Sequence, residues 1–188
     1  MNIFQDLSRF SLPPNFRKRN PVVVQLWWLV QASLFRCSPQ FLYGWRRFLL
    51  RSFGAKIGKN VLIRPTVRVQ FPWNLTIGDW SWIGDDVVLY NLGQIRIEEH
   101  VVISQRSYIC AGSHNWKRVD FAIIAPPVSI RREAWVATDC FVGPGVTIGE
   151  GAVIGARSSV LRDIPPGMIC FGSPAVPIRA RKVEQPLA

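Results

Sequence analysis

The chain has 188 residues, 48% of them hydrophobic, which supports one sizeable core with a small appendage but leaves no room for an added nucleotide-binding domain. A formal charge of +11 and a pI near 10.4 invite a nucleic-acid partner, yet no helix-turn-helix, zinc knuckle or other recognised nucleic-acid motif accompanies them. The charge is therefore expected to meet phosphate groups or an anionic membrane surface, with no nucleic acid involved. Cys37, Cys110, Cys140 and Cys170 are widely spaced singletons, expected as reduced thiols rather than a disulfide framework.

Residues 1–54 form a basic, aromatic, helical segment. The first twenty end in Arg17-Lys18-Arg19-Asn20, and Pro21 follows Asn20 as a first-turn proline follows an N-cap. The run from Val22 to Phe35 is almost wholly apolar around Trp27-Trp28. It falls short of the ~20 residues that span a bilayer, and no small-residue cleavage site before Arg36 supports a signal peptide. A second helix is predicted from Ser38-Pro39 to Gly54. Phe41, Leu42, Trp45, Phe48 and Leu49 recur on one face, with Arg47 and Arg51 a turn apart on another. Such a hairpin can cap an open edge, lie in a membrane interface, or do both.

From residue 55 to 170 the chain counts in sixes. Hexads begin at Ile57 with Val61 and at Ile63 with Val67; an irregular piece runs from Val69 to Asn74; register is clean at Ile77 with Ser81 and Ile83 with Val87. Leu89 to Gln94 is degenerate, and Ile95-Arg96 add two residues. Ile97, Ile103 and Ile109 then open hexads, as do Ile124, Ile130, Val136, Val142, Ile148, Ile154 and Val160. Four places after each stands a small or β-branched residue, from Val101 to Ile164. The fifth residue of one hexad and the first of the next are two apart, so in a strand they share a face and point inward together. Three short strands and three turns make one triangular coil of a solenoid; no 3.6-residue period survives so many Gly and Pro.

The pattern breaks after His114. Asn115 stands where an inward aliphatic should sit, residues 115–123 keep no hexad rule, and register is expected back near Ile124. An excursion on so regular a scaffold is expected to be functional. His114 follows the inward Ser113, so it is expected to point outward at the base of the loop, with Trp116 beside it. His100, at a turn among Glu98 and Glu99, reads as surface. Two histidines in all exclude the three-histidine zinc site of a γ-type carbonic anhydrase, and no metal is expected.

The hexads, together with Tyr108-Ile109-Cys110-Ala111-Gly112-Ser113-His114, resemble the hexapeptide-repeat acyltransferases, which fold as left-handed parallel β-helices. Ile164-Pro165-Pro166-Gly167-Met168 and Gly172-Ser173-Pro174-Ala175 resemble that family's ending, with a C-terminal tail over residues 171–188. Leu26-Trp27-Trp28, Leu42-Tyr43-Gly44-Trp45-Arg46 and the stretch from Asp85 to Gly93 are most similar to the colanic-acid-type exopolysaccharide O-acetyltransferases. The resemblance implies a mainly β enzyme, homotrimeric, taking acetyl-CoA as acyl donor. Its acceptor would be a sugar hydroxyl of a lipid-linked oligosaccharide, at a cytoplasmic location peripheral to the membrane. It implies His114 as general base in direct transfer, an imidazole taking the hydroxyl proton as the oxygen attacks the thioester and a backbone N–H meeting the oxyanion. It places Asn91 and Trp135 with Trp116 on the acceptor side, and Ala156, Arg157, Leu161 and Arg162 along the coenzyme, with Arg179 near its phosphates. Leu161 stands where relatives often carry threonine. Two alternatives remain: a silent β-helix scaffold, and an acyltransferase for a small non-polysaccharide acceptor.

Overall fold

The computed structural model describes residues 3–184. Seventeen of the nineteen strands build three stacked parallel faces and a closing hairpin, and the remaining two form a separate ribbon. The first face carries Lys56–Ile57, Leu75–Ile77, Ile95–Ile97, Val128–Ile130 and Thr147–Ile148. The second carries Leu62–Ile63, Trp82–Ile83, Val102–Ile103, Trp135–Val136 and Val153–Ile154, and the third Arg68–Val69, Val88–Tyr90, Tyr108–Cys110, Phe141–Val142 and Ser159–Val160. Inward residues stack in columns: Ile57, Ile77, Ile97, Ile130, Ile148 on one face and Ile63, Ile83, Ile103, Val136, Ile154, Cys170 on the next. All are buried, as are the hexads' small partners such as Val61, Ala134 and Ala152. The inward serines satisfy their hydroxyls across coils: Ser81 Oγ donates to Glu98 O at 2.7 Å and Ser107 Oγ to Ala137 O at 2.8 Å.

Corners are tight because coils stack backbone on backbone. A Cβ on Gly78 would lie 2.5 Å from Glu99 N, so only glycine fits. His100 is a corner residue with φ of 58°, its N–H donating to Asp79 O. Met168–Gly172 extends the second face and pairs antiparallel with Ala175–Ala180, closing the far end.

The near end is closed by α1, Pro21–Val30, and α2, Tyr43–Ser52. Asn20 caps α1 by accepting from Val22 N, and the helix continues as a wider turn through Gln31–Phe35. α2 starts at Tyr43, not at Ser38-Pro39. The Ser38 hydroxyl donates instead to Phe35 O and accepts from Arg46 Nη1, which ties the interhelical turn down. The arginines also depart from expectation. Arg46 is fully buried and donates to Ile63 O, Arg47 to Val61 O, and Arg51 to Ile57 O and Gly58 O. The first coil has no preceding coil to donate N–H groups to its outer carbonyls, and these guanidinium groups donate in that place.

Register returns at Val128 rather than Ile124. Ile124 is exposed and pairs with Ser113 in the separate antiparallel ribbon, Ser113–His114 against Ile123–Ile124, and Ser113 is exposed rather than inward. The coil is left at Gly112, two residues earlier than the hexad count implies.

Candidate active site

His114 sits at the base of this ribbon, half-buried. Its Nδ1 lies 2.7 Å from Phe121 O. A carbonyl only accepts, so Nδ1 carries the proton and Nε2 is left with the free lone pair. The imidazole also stacks on the Phe121 ring, centroids 4.2 Å apart and planes 8° from parallel, and Phe10 packs at 6.0 Å. Phe121 holds φ at 49°, a left-handed conformation that a bulky residue adopts only under constraint. The loop supplies that constraint. Asn115 N donates to Ala122 O, Arg118 N to Asn115 O and Phe121 N to Arg118 O, while Arg118 clasps Asp120 through two bonds at 2.9 and 2.6 Å. The N-terminal segment ties on through Asp6 N to Val119 O at 2.8 Å.

Trp116 shares the loop with His114 and is 75% exposed. Leu161 and Arg162 follow the strand Ser159–Val160 at the corner between third and first faces. That is the same edge the loop leaves from, two coils further along, or roughly 10 Å at ordinary strand spacing. Ala156 and Arg157 occupy a different edge, between second and third faces, Arg157 with φ of 59°. Trp135 stands on the second face, Nε1 donating to Ser104 Oγ at 3.0 Å, in the column Trp82, Val102, Trp135. Arg179 lies in the closing strand opposite Ile169. One chain thus brings His114, Trp116, Leu161 and Arg162 to one edge and leaves Trp135, Ala156 and Arg157 elsewhere.

Asn91 is not at the surface expected of an acceptor ligand. It is fully buried, its Oδ1 accepting from Phe71 N at 2.9 Å and its Nδ2 donating to Phe71 O at 2.6 Å, which pins the irregular bend before Asn74. Cys110, four residues before His114, is buried with Sγ 3.0 Å from Gly112 O, and burial pushes its thiol pKa up, as it does for Cys140 and Cys170. Among the described residues no group of three or more His, Cys, Asp or Glu could hold a metal. Sequence reasoning missed Phe121, Phe10 and Asp6. Nothing in a seven-residue separation marks Phe121 until Ser113–His114 is known to pair with Ile123–Ile124.

No family model matches the chain. It is 59% identical over 177 residues to the "Putative colanic acid biosynthesis acetyltransferase WcaF" of Escherichia coli (strain K12), covering 94% of this chain and 97% of that protein. Among solved structures, the hexapeptide-repeat containing acetyltransferase VCA0836 from Vibrio cholerae superposes with a TM-score of 0.80 at 23% identity, over 94% of this chain and 98% of that one. The same protein complexed with acetyl coenzyme A gives 0.76 at 24% identity, over 86% and 88%.

Proposed function

The chain belongs to the hexapeptide-repeat acetyltransferases of the colanic-acid type, with their left-handed β-helix, and we propose that His114 is its general base, moving an acetyl group from acetyl-CoA to a sugar hydroxyl. The observation that carries this reading is the Phe121 carbonyl, which selects the His114 tautomer with a free Nε2. A sugar hydroxyl is a poor nucleophile; as its oxygen attacks the thioester carbon, Nε2 takes its proton, and the imidazolium then returns a proton to the departing thiolate. The tetrahedral oxyanion is met by a backbone N–H. Transfer is direct, because the nearest thiol in sequence, Cys110, is buried and its pKa raised.

The enzyme works as a homotrimer. The division of Trp135, Ala156 and Arg157 from the His114 edge supports this, since a cleft between neighbouring subunits reunites the two edges. Trp116 and Trp135 then wall the acceptor. Ala156, Arg157, Leu161 and Arg162 lie along the coenzyme, with Arg179 toward its phosphates. The acceptor belongs to bacterial exopolysaccharide synthesis and is held on lipid at the inner face of the cytoplasmic membrane.

Acetyl-CoA turnover on candidate lipid-linked or nucleotide sugars tests the reading. His114→Ala is expected to lose roughly 10²–10⁴-fold in kcat, with His114→Asn similar, coenzyme A affinity and folding unchanged, and His100→Ala silent. Near-normal transfer by His114→Ala would overturn the assignment and leave the scaffold alternative.

A further inference from the structure

The net positive charge of this protein comes from the N-terminal part of the chain. Residues 1–78 contain twelve Lys and Arg but a single acid, Asp6; residues 79–188 contain eleven of each sign. The whole excess of +11 therefore lies in the N-terminal segment, the hairpin and the first coil. Arg46, Arg47 and Arg51 are engaged with coil-edge carbonyls, and Arg64 with Asp85. Arg17, Lys18, Arg19 and Arg36 have no carboxylate within ion-pair distance among the described residues.

The same end exposes apolar surface. Val22, Leu26 and Leu29 recur along one side of α1 at helical spacing, opposite the buried Val24 and Trp27. The stripe reaches Leu34, whose carbonyl accepts from Trp45 Nε1 at 3.1 Å, and Trp45 stacks on Phe48 at 5.6 Å. Phe41, 76% exposed, stands beside them in sequence just before α2. Exposed apolar side chains grouped in this way mark an interaction site. Among the described residues no helix is long and apolar enough to cross a membrane, so contact with lipid must be interfacial.

We propose that this end of the solenoid docks on an anionic lipid bilayer, with Leu26, Leu29, Leu34, Phe41 and Phe48 entering the headgroup boundary and Arg17, Lys18, Arg19 and Arg36 meeting lipid phosphates. A second copy of the chain is the poorer occupant, because face-to-face pairing would bring two concentrations of positive charge together, whereas anionic lipid neutralises them. The proposal deepens the reading of a lipid-held acceptor, and its test does not depend on turnover. The full chain should sediment with vesicles rich in phosphatidylglycerol, release as salt rises, and ignore pure phosphatidylcholine. Replacing Arg17, Lys18, Arg19 and Arg36 together by Gln should weaken binding by at least about tenfold. Phe41→Ser with Phe48→Ser should weaken it at every salt concentration, while Arg96→Gln with Arg132→Gln, on the charge-balanced half, should not. Thermal melts confirm that each variant folds, and His114→Ala should bind like the parent, which separates failure of docking from failure of the catalytic reading. Three results would overturn the proposal: no binding to phosphatidylglycerol at low salt, equal binding to neutral vesicles, or a Phe41/Phe48 variant whose assembly mass falls while vesicle binding stays.

Discussion

Phe121 holds His114 twice, by its carbonyl and by its ring, and the two contacts separate in mutants. Phe121→Ala keeps the carbonyl and removes the stacked face. It is expected to lower kcat by roughly 10- to 100-fold, less than loss of the base itself, with the KM for acetyl-CoA unchanged. Nitrogen NMR should then still show the tautomer protonated at Nδ1, with the His114 ring more mobile, and Phe121→Tyr should restore rate and spectrum together. Asn91 makes the opposite case. Asn91→Ala leaves the buried Phe71 N–H without its acceptor, while Phe71 O keeps the bond from Asn74 N, so urea titration should show a loss of roughly 1–3 kcal/mol, with turnover per folded molecule preserved. An altered acceptor KM at unchanged stability would return Asn91 to the acceptor side.

The hairpin is a cap in the chemical sense. α1 and α2 bury Trp27, Phe35, Leu49 and Leu50 against the first coil, and Trp27 Nε1 donates to Val69 O at 2.8 Å, so apolar cover and hydrogen bonds arrive on the same elements. Arg46 is the central case, because four of its contacts run to Ile63 O, Pro39 O, Gln40 O and the Ser38 hydroxyl. Arg46→Met keeps the length of the side chain and removes every donor. Chemical denaturation should show about 2–4 kcal/mol of destabilisation, and the cap should open first, read as faster amide exchange in α2 than in the central coils. Exposed Arg36→Met should do neither.

At the scale of the molecule, the proposed site draws its residues from two edges, and activity is therefore expected to be a property of the assembly. Light scattering is expected to give three times the chain mass, and a stable, active monomer would contradict the shared cleft. Co-expression gives a sharper measure. His114→Ala and Trp135→Ala, each poorly active alone, should recover turnover when mixed, because roughly a quarter of randomly assorted interfaces pair an intact His114 edge with an intact Trp135 face. No recovery in verified mixed trimers would place both residues in the same subunit's site.

The hexads determined the solenoid before any coordinate was known, because strand alternation and a period of six leave few other ways to bury Ile97, Ile103 and Ile109 together. They also showed the departure to within two residues, His114 by the hexad count against Gly112 in the fold, since a broken period is visible as such. What the period could not carry was anything settled by pairing between elements without it. Ser113 and Ile124 read as inward hexad residues and became an exposed antiparallel pair; Arg47 and Arg51 read as a basic face and became donors to a coil edge; Asn91, put on the acceptor side by the resemblance, became a buried clamp on Phe71. The Phe121 carbonyl belongs with these. A backbone acceptor leaves no mark in a side-chain alphabet, and only the folded ribbon brings it to within 2.7 Å of the imidazole it orients.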